Sequence, residues 1–355
     1  MSAPGSSDLS LETLLKETVM RGGSDLHLIH GHPPILRICN EVQANSSTPL
    51  DSSQIWAMAA AFLNEHHQRN FQIENRVNVS FTISTLGRFR MNLCKAQGTI
   101  SASLRVIPSK IYPLSALGLP PIVGTLTQKR RGIIFVTGAT GTGKSTTVAA
   151  MLDHINRQGQ PGKVVTIEDP IETLFVPNRC FFLQREVGVD TPSFEIGIED
   201  ALRQDPDILN IGELRTPESI RAALTAAETG HLVLTTLHTP DSAKTAQRIM
   251  SAFPGSDAET IRDQLCSTLE AIISQELLPR ADKNGLVLAI EVLLATPALR
   301  QLIKEGKLAQ IYDILQTGTA QGMISKDASI KSLFQRQLIT RETAMYSMRN
   351  PQLLG

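Results

Sequence analysis

The sequence predicts an α/β protein in which a smaller N-terminal module precedes a doubly wound α/β domain and a helical C-terminal region. Three observations predict this class. Apolar runs of strand length alternate with helical patterns in the middle of the chain, four prolines interrupt the pattern over residues 108–121, and helical patterns follow residue 296. With 355 residues, 41% of them hydrophobic, the chain can form two or three cores.

The N-terminal domain is predicted to span residues 1–107. Apolar residues recur with helical spacing over residues 9–21, which predicts an amphipathic helix capped by Ser10 and ended at Gly22. Apolar and polar residues alternate over residues 77–107. This second stretch is therefore predicted to be a three-stranded meander.

The proline-rich stretch 108–121 is interpreted as a linker, since proline interrupts both helices and strand ladders. In the predicted second domain, residues 122–295, helical patterns alternate with the apolar runs GIIFVTG, KVVTIE, DILNIG and HLVLTTL. One predicted helix, residues 217–229, has Thr216 in position to cap it. This alternation is typical of a parallel sheet, and residues 296–355 are predicted to form a small helical bundle.

Composition argues against several classes of protein. Lys and Arg total 34, as do Asp and Glu, and aromatic residues make up 4% of the chain, so a general nucleic-acid binder is not expected. The sequence contains neither a stretch of roughly 20 apolar residues nor a signal-peptide pattern, so we expect a cytosolic protein without a membrane span. The four cysteines are scattered, which argues against a disulfide framework.

The most specific single motif is a phosphate-binding loop. Residues Gly138 to Ser145 fit G-x-x-x-x-G-K-[ST] between a predicted strand and a predicted helix, as this pattern requires. In such loops backbone N–H groups surround the β-phosphate, the lysine contacts the β- and γ-phosphates, and the serine hydroxyl is a Mg²⁺ ligand. No N-K-x-D segment follows, so ATP is favoured over GTP. The predicted nucleotide-binding residues are Gly138, Thr140, Gly141, Thr142, Gly143, Lys144, Ser145 and Thr146.

Two acidic residues at strand ends are candidates for the hydrolytic chemistry. Glu213 follows the run DILNIG, where Gly212 occupies the usual place of a Walker-B carboxylate. Glu213 is predicted either to hold Mg²⁺ through a water or to polarise the attacking water. Glu168 closes the run KVVTIE, and it is the candidate for orienting or deprotonating that water. The carboxyl ends of parallel strands meet at one edge, which predicts that Glu168 lies beside the phosphates.

Two histidines flank the predicted strand LVLTTL. His238 lies at its carboxyl end, where an imidazole next to ATP can sense the γ-phosphate by hydrogen bonding. His231 lies at the opposite end, so it is predicted to be mainly structural.

These motifs, in this order, resemble those of the secretion ATPases of type IV pili, and most closely the twitching-motility retraction ATPases of the PilT and PilU branches. The resemblance covers nearly the whole chain and is far more specific than the phosphate-binding loop alone. Besides that loop, it is carried by Ser24–Leu28, Gly87–Arg90, Thr166–Glu172, Asp205–Arg215, Thr229–Thr239 and Ala298–Glu305.

The resemblance implies a PAS-like N-terminal domain, a RecA-like motor domain and a homohexameric ring. It also implies ATP-driven pilus retraction at the inner membrane, with a membrane platform protein as partner and a paralogous retraction ATPase as a further candidate partner. Glu168 is implied to be the catalytic carboxylate and Glu213 the Mg²⁺-associated one. Thr216 stands where many relatives have Asp, which leaves the support of Glu213 open. Individual stretches favour either branch, so the branch stays open as well.

Strand alternation places Arg88, Arg90 and Arg105 on the polar face of the meander. They form either a solvated basic face or, if a neighbouring subunit's ATP packs against that face, a set of arginine fingers.

Three alternative functions have to be considered. A nucleic-acid translocase shares the RecA-like core, but the neutral charge opposes it. A weakly hydrolysing regulatory paralogue is expected if Thr216 disables the site. A plasmid-transfer or type IV secretion motor is the closest alternative, and the residues do not separate it from a retraction motor.

Overall fold

A computed structural model of the chain describes residues 10–39, 41–45, 48–107, 110–255 and 257–354. The chain divides into two compact units, Met1–Lys110 and Ile111–Gly355. Four predicted boundaries fall outside the described residues: the start of the first domain at residue 1, the start of the first helix at residue 9, the start of the linker at residue 108, and the C-terminal residue 355.

The first unit is an antiparallel sheet with three helices. Its elements are α1 (Leu11–Met20), β1 (Gly23–Ile29), β2 (Ile35–Ile38), β3 (Glu41–Ala44), α2 (Ser52–Ala60), α3 (Glu65–Glu74), β4 (Arg76–Ile83), β5 (Gly87–Ala96) and β6 (Thr99–Ile107). The strand order is β3-β2-β1-β6-β5-β4. The predicted meander is confirmed as β4–β6 and extends into a six-stranded sheet. The first helix is also confirmed, with the Ser10 hydroxyl accepting the Thr13 N–H at 3.2 Å.

The second unit is built on one seven-stranded sheet. The first part of this unit contains α4 (Pro121–Leu126), β7 (Gly132–Thr137), α5 (Lys144–Gln158), β8 (Gly162–Glu168), β9 (Cys180–Glu186), α6 (Phe194–Leu202), β10 (Ile208–Ile211), α7 (Pro217–Glu228) and β11 (Leu232–Leu237). They are followed by α8 (Ser242–Ser251), α9 (Asp257–Thr268), β12 (Leu269–Pro279), β13 (Leu286–Leu294), α10 (Pro297–Lys304), α11 (Ile311–Thr317), α12 (Lys326–Gln335) and α13 (Arg341–Ser347).

The strand order of this sheet is β13-β12-β7-β11-β10-β8-β9. All neighbouring pairs are parallel except β12 and β13, which form an antiparallel hairpin. The four predicted strand runs are confirmed as β7, β8, β10 and β11. They are neighbours in the sheet, so their carboxyl ends follow one another along a single edge.

Alternate side chains of the central strands enter two cores, as a doubly wound sheet requires. Ile133 and Phe135 of β7 point into a core with α6 to α11, whereas Ile134 and Val136 point into a core with α4 and α5. All four side chains are fully buried. The central strands are therefore held from both faces.

The predicted C-terminal bundle is wrong as a separate unit, although the region is helical. Leu299 of α10 and Ile311 of α11 join the core of α6–α9. Ile330 of α12 and Ala344 of α13 pack instead on the β12–β13 hairpin, beside Leu278. The tail splits in this way because the antiparallel hairpin, which the sequence analysis did not predict, offers a second apolar face. Among the described residues, no helix has the length and apolarity needed to cross a bilayer.

Helix α7 begins as predicted, with Thr216 as its N-cap. The Thr216 hydroxyl accepts the Ser219 N–H and the Ser219 hydroxyl accepts the Thr216 N–H, both at 3.2 Å, which makes a reciprocal capping box. Thr216 also donates to Glu195 Oε1 at 2.6 Å. Thr216 thus caps the first turn of α7.

We expect Thr216→Ala to lower the free energy of unfolding by about 1 kcal/mol, because the cap and its hydrogen bonds are lost. Urea denaturation measures this change. Thr216→Ser keeps a capping hydroxyl and should stay close to the wild-type value. An alanine variant as stable as the serine variant would contradict the capping assignment.

Candidate active site

The phosphate-binding loop connects β7 to α5 through three glycines with positive φ, namely 144° at Gly138, 82° at Gly141 and 84° at Gly143. At Gly138 there is no room for a side chain. A Cβ there would lie 2.4 Å from the carbonyl oxygen of Gln275 and 2.6 Å from Thr142 Oγ1. The loop therefore closes directly against β12, and glycine is required.

The loop presents the start of α5 to solvent. Thr140, Gly141, Ser145 and Thr146 are exposed, whereas Thr142 is buried. The first N–H groups of a helix have no partner within the helix, and their dipoles favour an anion. The residues around α5 therefore fit a bound polyphosphate.

Lys144 is buried, with 8% of its surface exposed, although it belongs to the first turn of α5. Its Nζ donates to the carbonyl oxygens of Gly138 at 3.0 Å and Ala139 at 2.9 Å. Burial lowers the pKa of Lys144, and the nearby Glu213 carboxylate acts in the opposite direction. The ammonium group is thus held above the loop by backbone carbonyls.

His238 bridges Lys144 and Glu213. Its Nδ1 lies 3.4 Å from Lys144 Nζ and its Nε2 lies 3.2 Å from Glu213 Oε2. Lysine has only donors, so Nδ1 accepts from Lys144 and Nε2–H donates to Glu213. Arg215 completes the chain by pairing with the other oxygen of Glu213. The structure therefore brings together three of the predicted site residues.

Glu168 closes β8 one strand away from Glu213. Its carboxylate accepts Thr166 Oγ1 at 2.6 Å and Gln184 Nε2 at 3.3 Å. Burial raises the pKa of Glu168, and these hydrogen bonds oppose that effect. A Cβ at Gly212 would lie 3.3 Å from the Ile167 carbonyl oxygen, so the end of β10 runs close against the end of β8.

Within the described part of the chain, Thr216 forms no hydrogen bond with Glu213. Its hydroxyl is used by Ser219 and Glu195, and Glu213 is held by Arg215 and His238 instead. His231 lies before β11, at the end opposite His238, with Nδ1 2.9 Å from the carbonyl oxygen of Ala226. The His231 side chain thus contacts the end of α7 at the edge of the sheet opposite to the phosphate-binding loop, and its structural role stays a prediction.

The three predicted arginines lie in the first unit. Arg90 is exposed and directly faces Arg105 across β5 and β6. Arg88 is half-buried and its Nη1 donates to Thr82 Oγ1 at 3.4 Å. Strand alternation thus places these side chains as predicted.

Arg105 has a partner that the sequence analysis did not identify. Its Nε donates to Asp25 Oδ1 at 2.9 Å. Burial acts to raise the pKa of Asp25, but hydrogen bonds from Ser24 and Arg105, together with the charge of Arg105, outweigh burial and lower it. The Asp25 carboxylate therefore fixes one guanidinium group on the polar face.

Two polar residues of β12 also belong to the surroundings of the loop, although no sequence pattern was used to predict them. Gln275 donates to Thr147 Oγ1 of α5 at 2.8 Å, and Ser274 lies 2.8 Å from Thr137 Oγ1 at the end of β7. Both side chains support the phosphate-binding loop from behind. A signal was present, since the polar triplet Ser274–Glu276 interrupts the otherwise apolar run AIISQELL.

Comparison with known proteins gives one consistent picture. Residues 11–346 match the family model described as "Type II/IV secretion system protein". The type IV pilus retraction ATPase PilT of Pseudomonas aeruginosa is 40% identical over 97% of this chain and 99% of its own length. The type IV pilus ATPase PilU of the same organism is 36% identical over 95% of this chain and 88% of its own length. A crystal structure of the pilus retraction motor PilT with bound ADP is 39% identical, with a TM-score of 0.90 over 98% of this chain and 99% of that one.

We expect Lys144→Ala to weaken ATP binding by at least about tenfold, because a charge-assisted hydrogen bond to phosphate contributes about 1.5–3 kcal/mol. Fluorescence anisotropy with a labelled ATP analogue measures the affinity. Lys129→Ala is the matched control, since Lys129 precedes the amino end of β7 and pairs with Glu270 at 2.7 Å. Equal affinity in both variants would rule out the phosphate-binding assignment.

Proposed function

The chain belongs to the type II/IV secretion system protein family, and from this premise we propose that it is an ATP-hydrolysing motor that powers type IV pilus retraction. The observation that carries the proposal is the alignment of the phosphate-binding loop, His238, Glu213 and Glu168 along one edge of the sheet. Each belongs to a different strand end. Phosphate binding and water activation therefore share one surface.

Nucleotide binding is assigned to Gly138, Thr140, Gly141, Thr142, Gly143, Lys144, Ser145 and Thr146. Backbone N–H groups of the loop and of the first turn of α5 donate to the phosphates. Lys144 supplies the cation. Its ammonium group is already desolvated and held by backbone carbonyls, so little conformational entropy is lost when a phosphate replaces one of them.

Mg²⁺ fits the oxygen ligands at this edge. Among the described residues, no group of three or more His, Cys, Asp or Glu side chains could hold a metal alone, and Mg²⁺ typically binds through one or two protein oxygens together with substrate phosphates. Ser145 Oγ and the Glu213 carboxylate would hold it. The ion would neutralise charge that develops on the transferred phosphoryl group.

Glu168 is proposed to activate the attacking water. A general base works best when its pKa approaches the working pH, and burial moves the pKa of Glu168 in that direction. Thr166 and Gln184 orient the carboxylate. His238 would then respond to the γ-phosphate, because its Nδ1 already contacts the Lys144 ammonium group that this phosphate approaches.

The motor is proposed to be a homohexamer at the cytoplasmic face of the inner membrane, where it acts on the pilus platform protein, with a paralogous ATPase as an additional partner. Arg90 and Arg105, with Arg88 beside them, would reach ATP on a neighbouring copy. This role is supported by the polar face of the sheet, on which Arg90 is exposed and Asp25 orients Arg105. Nucleotide-driven rearrangement between copies would then produce mechanical work.

We expect Glu168→Gln to lower the kcat of ATP hydrolysis by about 10²- to 10⁴-fold, the range for loss of a general base, while ATP affinity changes little. A coupled-enzyme assay and anisotropy measure the two quantities. The acid limb of the wild-type profile of kcat against pH should lie above the ordinary glutamate pKa.

A measurement of the free energy of unfolding shows whether Glu168→Gln loses kcat because it fails to fold. A carboxyl group whose pKa is raised in the folded state contributes stability that is lost as pH rises through that pKa, so the glutamine variant should be at least as stable as wild type at neutral pH. Near-normal kcat in a folded Glu168→Gln variant would refute the role.

We expect Arg90→Ala to lower kcat by about 10³-fold or more without loss of ATP binding, the scale of an arginine finger. Activity per chain of the wild type should also rise with protein concentration, because the fingers come from another copy. Arg69→Ala is the control, since Arg69 pairs with Glu65 on the exposed face of α3. Activity that is independent of concentration and unchanged in Arg90→Ala would exclude fingers supplied by a second copy.

A further inference from the structure

We propose that Lys326 is a positioning residue that connects the C-terminal helices to His238. This proposal rests on the proposed function, because it concerns His238, the residue assigned to respond to the γ-phosphate. The connection runs through residues 238–241, which link β11 to α8 and which we name the sensor loop.

Lys326 makes two direct contacts. Its Nζ donates to the carbonyl oxygen of Pro240 at 3.0 Å and to Glu276 Oε2 at 3.0 Å. Pro240 lies two residues after His238, in the middle of the sensor loop. Glu276 directly follows Gln275, whose carbonyl oxygen abuts Gly138 of the phosphate-binding loop. One ammonium group therefore joins the loop that carries the sensor to the strand that supports the phosphate-binding loop.

The end of the sensor loop is also fixed by a carboxylate. Glu291 of β13 is buried and its Oε1 accepts the Ser242 N–H at 2.8 Å, directly after Asp241. Burial raises the pKa of Glu291, and the charge of Lys326 acts against that rise. Lys326 thus donates to Glu276 of β12 and to the Pro240 carbonyl group of the sensor loop, and its charge acts on Glu291 of β13.

Lys326 itself is placed rigidly. Ile324 and Val292 of β13 exchange two backbone hydrogen bonds, of 2.8 and 3.0 Å, and Ser325 caps α12 by accepting the Ala328 N–H at 3.2 Å. The base of the Lys326 side chain is therefore held to the hairpin, and only 18% of the side chain is exposed.

The position of this cation is unfavourable for α12 alone. Lys326 is the first residue of the helix, where the macrodipole disfavours a positive charge. The packing of α12 is provided by Ile330 and Leu333 against the hairpin and does not need the ammonium group. The contacts of Lys326 with Pro240 and Glu276 therefore explain a lysine at this position better than the stability of α12 does.

The consequence is a mechanical link. A shift of α12 moves the donor that holds Pro240, and hence changes how His238 meets Lys144 and Glu213. Removal of the donor leaves the phosphate-binding loop intact but frees the Pro240 carbonyl group in the middle of the sensor loop, so hydrolysis should be affected more than nucleotide binding.

The test compares Lys326→Met, Lys326→Arg and Lys331→Met in the full chain. Lys331 lies on the same helix and its Nζ donates to the carbonyl oxygen of Leu353 at 2.6 Å, away from the sensor loop. We expect Lys326→Met to lower kcat by about 2- to 30-fold, the range for residues that couple to a site without touching it. The ratio of affinities for a non-hydrolysable ATP analogue and for ADP should fall, because the sensor reads only the γ-phosphate.

Lys326→Arg should restore most of the activity, since it keeps the charge and the donors, and Lys331→Met should behave as wild type. Equal losses in Lys326→Met and Lys331→Met would overturn the proposal in favour of general weakening of α12. An unchanged kcat and an unchanged affinity ratio in Lys326→Met would also overturn it.

A His238→Ala variant distinguishes failure of the positioning role from failure of the proposed function. If His238→Ala lowers kcat and Lys326→Met does not, only the positioning role fails. If the wild type does not hydrolyse ATP, or His238→Ala has no effect, the proposed function or the sensor role fails and the positioning role fails with it.

Discussion

The site depends on one topological constraint, the adjacency of four parallel strands in the order β7-β11-β10-β8. Parallel strands end at the same edge, so the turns that follow them must meet there. The phosphate-binding loop, His238, Glu213 and Glu168 each follow or close one of these strands. Their convergence therefore requires no long loops, and the two apolar cores that hold the strands also hold the chemistry in place.

Charge compensation is the second principle of the site. A buried ammonium group is costly unless it is paired or hydrogen-bonded. Lys144 is satisfied by two carbonyl groups, and through His238 it is connected to Glu213, which in turn is neutralised by Arg215. Each member of this network therefore has a partner within the protein.

The same principle appears in the first unit. Arg90 and Arg105 face each other directly, and like charges at such a position destabilise a sheet. Asp25 offsets this by pairing with Arg105 from the neighbouring strand β1. A concentration of positive charge can thus be kept on one face of a small domain whose remaining composition is close to neutral.

Elements whose signal is local can be predicted directly from the amino-acid sequence. The glycines of the phosphate-binding loop, the Thr216 cap, the four parallel strands and the alternation around Arg88, Arg90 and Arg105 follow from spacing and backbone preferences over a few residues. Those interactions are encoded within one segment, so a single sequence is enough to read them. The match to known motifs also indicated the family before any geometry was available.

Contacts between segments that lie far apart in the chain are visible only in the folded protein. The β12–β13 hairpin was not predicted, since periodicity does not show which strand an apolar run will join. The pairing of Arg105 with Asp25 spans 80 residues, and that of Lys326 with Pro240 spans 86. The supposed C-terminal bundle splits because each helix packs on the apolar face that the fold provides. Long-range pairing of this kind depends on which surfaces meet after the chain has folded, and no local pattern carries that information.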